Sequence, residues 1–302
     1  MITFSGCKSV NRDPYTDTPT SGRIKIAADE TFKNIIEAEL GVFQSIYNYA
    51  EITPAYVPEN ELFRQLESDS VHLIIAARYL LDSEIQNLNK RKIFPRQTKI
   101  ALDGIALIVN KENTVTALTM NQLKQIFTGE IIKWDEISST SKPQDINIVF
   151  DNQGSSLLRM IVDSLCNGKS LTKKAHAMEF NKDVINYVSR NPGSIGLIGV
   201  SWISDKDDTL QLSFLKQIKV LALSRDSIAN ASNSYQPFQA YLAQGLYPLT
   251  REIIIINAEP RSGLASGLAS FIAGDKGQRI LLKTGVLPVI SPTRLVNVRG
   301  AL

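Results

Sequence analysis

From Arg23 onward, short β-rich runs alternate with stretches whose apolar residues recur at helical spacing. Arg23 to Ala28 alternates as a strand does. Phe32, Ile35, Ile36, Glu39, Leu40 and Phe43 then form a stripe at i, i+3, i+4 and i+7, which predicts an amphipathic helix beginning near Asp29. Ile52 to Val57 reads as a second strand, Glu61 to Ser68 as a short helix and Val71 to Ala77 as a buried strand, and Asp82 opens a helix carrying Ile85 and Leu88. After the strand Ile105 to Val109, Thr119 to Gln122 has the form of a capping box, with Leu123 and Ile126 behind it and Gly129 to end the helix. Ile146 to Phe150 makes a strand that passes through Asp151-Asn152-Gln153-Gly154 into a helix opened by Ser155 and carrying Leu158, Ile161, Val162 and Leu165. Asn181 is placed to cap a helix with Val184, Ile185 and Val188, which stops before Asn191-Pro192-Gly193 and the strand Ile195 to Val200. A strand at Ile253 to Ile256 and a helix from about Leu264 to Leu282, interrupted near Gly274, complete the body. Repeated strand-then-helix units predict an α/β fold with mostly parallel strands.

Composition narrows the class. At 302 residues the chain holds either two lobes or one large domain, and 43% hydrophobic against 21% charged residues favours a packed core. No run approaches the ~18 apolar residues of a spanning helix. The net charge of +3 is too small for a nucleic-acid face. Two cysteines and two histidines exclude a disulfide framework and a four-ligand zinc site, and no cofactor or metal is expected. Phe4-Ser5-Gly6-Cys7 resembles the lipobox of bacterial lipoproteins, although only Ile2, Thr3 and Phe4 stand where a longer apolar stretch belongs. The polar segment Lys8 to Gly22 reads as a tether, so residues 1–22 are expected to hang a folded body from a lipidated Cys7; an unmodified cysteine on a frayed end is the alternative.

Two junctions share a chemistry. At Ala28-Asp29-Glu30-Thr31-Phe32 and at Gln153-Gly154-Ser155-Ser156, a strand hands over to a helix with hydroxyl residues at the turn. The first N–H groups of a helix have no intrahelical acceptor and carry the positive end of its dipole, so two such ends facing one another can clamp an oxyanion. Singly, each is an ordinary N-cap.

The chain resembles the substrate-binding proteins of phosphate ABC transporters, which are type II periplasmic binding proteins. The likeness is carried in order by Leu102-Asp103-Gly104-Ile105-Ala106-Leu107-Ile108-Val109-Asn110, by Leu118 through Trp134, by Asn191 through Gly196, by Tyr247-Pro248-Leu249-Thr250-Arg251 and by Gly277 through Pro288. It implies a two-lobed fold with two hinge crossovers, near Asp103 and near Tyr247 to Glu252. Lobe I would take residues 23–103 plus 250–302, and lobe II residues 104–249. It implies a monomeric receptor, periplasmic or at the cell surface, that captures a small oxyanion, phosphate first, and passes it to a membrane ABC permease.

Carried over residue by residue, the resemblance assigns ligand contacts to Thr31, Phe32, Gln153, Gly154, Ser155 and Ser156. Asp151 stands where the family has an arginine, and Asp29 and Glu30 add carboxylates, so these three become proton acceptors and Arg78 the expected substitute cation. Two competing readings remain: a surface interaction module without ligand, and a serine hydrolase, since Ser139-Thr140-Ser141-Lys142 and Ser170-Leu171-Thr172-Lys173 match Ser-x-x-Lys without its usual partners.

Overall fold

The computed structural model describes residues 16–138, 140–204 and 209–290. In chain order the strands are β1 (Ser21–Asp29), β2 (Tyr49–Val57), β3 (Leu73–Ala76), β4 (Arg96–Asn110), β5 (Ala117–Thr119), β6 (Asn147–Phe150), β7 (Ala175–Ala177), β8 (Ser194–Gly199), β9 (Ile218–Val220), β10 (Ala222–Ser224), β11 (Thr250–Asn257) and β12 (Leu287–Pro288). The helices are α1 (Lys33–Ile46), α2 (Glu59–Glu67), α3 (Asp82–Lys90), α4 (Met120–Thr128), α5 (Ser156–Ser164), α6 (Asn181–Arg190), α7 (Thr209–Leu215), α8 (Gln239–Ala243), α9 (Leu264–Ala273) and α10 (Asp275–Lys283).

The main path of the sheet runs β2-β1-β3-β11-β4-β8-β6-β7. Within each half the outer strands are parallel, β1 with β2 and β3, and β6 with β7 and β8. The strands at the centre are not: β11 is antiparallel to β3 and β4, and β4 is antiparallel to β8. The strand predicted at Ile105 to Val109 is thus the second half of the fifteen-residue β4, whose first half, Arg96 to Gly104, pairs with β11. That first half opens on four polar residues, Arg96-Gln97-Thr98-Lys99, and holds only the short apolar run Ile100-Ala101-Leu102, a weaker signal than the continuous apolar run beyond Gly104.

The two halves have separate cores. Around β1, β3 and β11, Ile35, Phe43, Leu264 and Leu281 pack on one face and Leu62, Leu66 and Leu88 on the other. Around β6 and β8, Phe127, Trp134, Leu157 and the buried Cys166 pack on one face, with Val184, Val188 and Phe214 opposite. The chain passes between these cores along β4 and returns through Leu249 and β11, where Ile105 N donates to Leu249 O at 2.9 Å. The predicted capping box is present: Thr119 Oγ1 accepts from Gln122 N at 3.0 Å, Gln122 Oε1 accepts from Thr119 N at 3.0 Å, and Gly129 ends α4 with φ 83°. The break near Gly274 falls between α9 and α10.

Of the segment read as a tether, residues 17–22 make contacts with the folded body. Asp17 Oδ1 accepts from Leu264 N at 2.9 Å, capping α9, and Thr18 bridges to Ser21 at the start of β1. Cys7 lies outside the described residues. Among those described, no helix is long and apolar enough to cross a membrane.

Candidate functional site

Both strand-to-helix junctions form as predicted, and their hydrogen bonds show how each is used. β1 ends at Asp29, which caps a short 3-10 turn over Glu30–Phe32 leading into α1. Asp29 Oδ1 accepts from Thr31 N at 2.9 Å and from Thr31 Oγ1 at 2.6 Å. Both of the donors expected from Thr31 are therefore directed at the protein's own carboxylate. At the second junction Ser155 is the N-cap of α5, its Oγ accepting from Leu158 N at 3.2 Å, while Asn152 Oδ1 accepts from Gly154 N at 2.9 Å.

The two turns meet on one guanidinium. Arg251 Nη2 donates to Thr31 Oγ1 at 2.8 Å, Arg251 Nη1 donates to Ser156 Oγ, and the guanidinium carbon lies 4.6 Å from the centre of the Phe32 ring. Thr31, Phe32 and Ser156 are thus brought together. Arg251 is itself held by Asp103, with Nε and Nη2 at 2.9 and 2.8 Å from Oδ2. Arg251 and Asp103 are partners in the β11–β4 register, so the crossing strands bring a cation between the two turns. The sequence offered Arg251 only as part of a family segment; the pairing register was the missing signal.

Four buried carboxylates, of Asp29, Glu30, Asp103 and Asp151, surround this point. Glu30 Oε2 reaches across to α6, accepting from Asn181 N at 3.2 Å and from Asn181 Nδ2 at 2.6 Å, and so occupies the helix N-terminus as an external anion would. Asn181, predicted as a cap, is instead the first residue of α6; Phe180 takes the cap position, and the Asn181 amide turns to Glu30 and, at 3.4 Å, to Asp151 Oδ2. Burial, the largest cause, raises the Glu30 carboxyl above its ordinary value against the lowering effect of Asn181. Burial, followed by the charge of Asp29, pushes Asp151 up to about 7. Burial also raises Asp103, opposed by Arg251.

Other expected ligand residues lie elsewhere. Arg78 is not a free cleft cation: Nη1 and Nη2 each donate to Glu84 at 2.8 Å, Nε lies 3.4 Å from Glu59, and the guanidinium stacks on Phe63 at 3.5 Å. A bidentate carboxylate and an aromatic face suit a planar guanidinium well enough to keep it there. Gln153 is exposed, and Gly154 packs against Asn60, whose backbone N donates to Gly154 O at 3.3 Å. A further bridge between the halves, not anticipated from sequence, joins Arg159 of α5 to the buried Glu59 of α2 through three hydrogen bonds of 2.9 to 3.2 Å. Trp202 Nε1 adds another, donating to Thr31 O at 3.0 Å. Of the two Ser-x-x-Lys matches, Ser139 lies outside the described residues, and Ser170 is exposed with no hydrogen bond to Lys173.

Two α/β halves joined through β4 and the return into β11, with a buried polar cluster between them, define the two-lobed type II periplasmic binding fold. The chain belongs to the PBP superfamily, whose domain model matches residues 13–276. It is similar to the phosphate-binding protein PstS of Staphylococcus aureus strain USA300, 24% identical over 262 residues, 85% of this chain and 76% of that protein. Among solved structures, a putative phosphate ABC transporter substrate-binding protein with bound phosphate from Clostridium perfringens superposes with a TM-score of 0.73 at 21% identity, covering 89% of this chain and 100% of the other. An ABC-type phosphate transport receptor from Vibrio cholerae gives 0.63 at 17% identity, covering 88% and 100%.

Proposed function

We propose that this chain is the extracytoplasmic solute-binding component of an ABC transporter, capturing a small oxyanion between lobes 23–103 plus 250–302 and 104–249. Phosphate is the first candidate, since the relatives above are named for it. The observation that carries the reading is Arg251: one buried guanidinium faces the Thr31 turn of one lobe and the Ser156 turn of the other. An oxyanion entering as the lobes part about β4 and β11 would replace the two hydroxyls as acceptors from Arg251 and take the first-turn amides of α5. Charge-assisted hydrogen bonds contribute about 1.5–3 kcal/mol each, so a few of them support micromolar binding after ordering costs. The receptor acts as a non-catalytic monomer, delivers its solute to a membrane permease and is anchored at the cell surface through Cys7.

Titration calorimetry with phosphate and sulfate tests this reading. Binding of phosphate that disappears in Arg251→Met is the expected result; no heat with either anion sinks it. The second reading, a scaffold that holds itself shut without ligand, is favoured by one observation, that Glu30 already fills the N-terminus of α6. Solution scattering separates the two: a receptor contracts when phosphate is added, whereas a self-closed module does not.

A further inference from the structure

The buried cluster between the lobes holds more acid than base. Asp103 is matched by Arg251, and Glu59 and Glu84 by Arg159 and Arg78. Asp29, Glu30 and Asp151 form no ion pair among the described residues, and Lys33, which pairs with Glu37, acts on Glu30 only through its field. The cluster is also short of hydrogen-bond donors. Asp29 Oδ2, Asp103 Oδ1, Asp151 Oδ1 and Asn181 Oδ1 are buried acceptors with no close hydrogen bond, although the Val200 amide eases the Asp103 carboxyl, and the Ser155 hydroxyl and Asn152 amide that of Asp151. Asn181 is fully buried, its amide nitrogen is held between Glu30 and Asp151, and its carbonyl oxygen is left without a partner.

Buried acceptors, and buried carboxylates above all, cost several kcal/mol when left unpaired, so the occupied site must bring N–H or O–H groups to them. A bare divalent ion fits poorly: among the described residues no three His, Cys, Asp or Glu side chains are grouped to hold a metal. An ammonium group, with three donors pointing in different directions, suits dispersed acceptors.

We propose that the solute carries an ammonium group beside its oxyanion, as an aminoalkylphosphonate does, with the oxyanion facing Arg251 and Ser156 and the ammonium among Asp29, Asp151 and Asn181. This rests on the oxyanion reading above. The two ends of the site are close: Arg251 reaches Thr31 Oγ1 at 2.8 Å and Thr31 Oγ1 reaches Asp29 at 2.6 Å, so a single hydroxyl separates cation from carboxylate, which matches a short spacer.

Calorimetry at pH 7.5 with 2-aminoethylphosphonate, ethylphosphonate and phosphate decides the matter. The expected result is 2-aminoethylphosphonate bound about tenfold or more tightly than ethylphosphonate, a preference of ~1.4 kcal/mol or more. Asp151→Asn should shrink that ratio, and Asp29→Asn serves if the first variant fails to fold. Phosphate binding with equal affinities for the two phosphonates overturns this proposal and leaves the oxyanion reading standing. Phosphate binding that tightens on acidification without an ammonium preference also overturns it, by assigning the missing hydrogens to protonated carboxylates. No heat with any of the three overturns both.

Discussion

Arg251 and Asp103 face one another across β11 and β4, and this pair, with neither side chain more than 3% exposed, fixes a cation that touches the Thr31 turn of one lobe and the Ser156 turn of the other. Removing the guanidinium leaves Asp103 buried and unpaired. Arg251→Met should therefore cost about 3–5 kcal/mol in urea unfolding, besides abolishing anion binding. Asp103→Asn in the same chain should recover part of that loss, and a double-mutant cycle with zero coupling would show that the pair is not a unit.

Glu30 holds the amides at the start of α6 that an anion would otherwise use. Glu30→Gln removes a like charge from the site while keeping an acceptor there. Phosphate affinity should rise about tenfold, corresponding to ~1.4 kcal/mol of relieved repulsion. Unchanged or weaker affinity by calorimetry would mean that Glu30 lies outside the ligand's field.

Glu39, in α1, faces the core, and both its carboxylate oxygens lack a partner; burial pushes its pKa up to about 9. The folded value lies above the unfolded value of about 4.3. Its contribution to stability is therefore fully present below pH ~4 and is lost progressively as pH rises toward about 9. Near neutrality that loss is of the order of 3–4 kcal/mol. Glu39→Met should raise stability at pH 7.5 by about 2–4 kcal/mol and by much less at pH 4.5, measured by urea unfolding at both values. An equal gain at both would point to packing instead of ionisation.

Arg159 and Glu59 tie α5 to α2 across the cleft. The Arg159 side chain is 36% exposed, so solvent screens the pair and Arg159→Gln should cost only about 1–2 kcal/mol. Its clearer signature is conformational: the ligand-free radius of gyration should grow, because the closed state loses a bond that the open state does not have. No change in solution scattering would show that closure is held by Trp202 and Glu30 without it.

The pattern of apolar positions determined most of the elements, because local periodicity is set by burial on one face of a helix or strand: the α1 stripe from Ile35 to Phe43, the Thr119 capping box and the Ser155 helix start all form where the spacing puts them. It also placed Thr31 and Ser156 at turns that open helices. Strand direction was not legible in it, since the antiparallel centre of the sheet depends on how β4 and β11 cross between the cores. Nor was the choice of cation, because Arg78 and Arg251 differ in their partners rather than their neighbours in sequence: Glu84, Glu59 and Phe63 hold the first, while the opposing register of Asp103 delivers the second to Thr31 and Ser156. Periodicity records what each segment buries, and only folding decides which distant side chains share that burial.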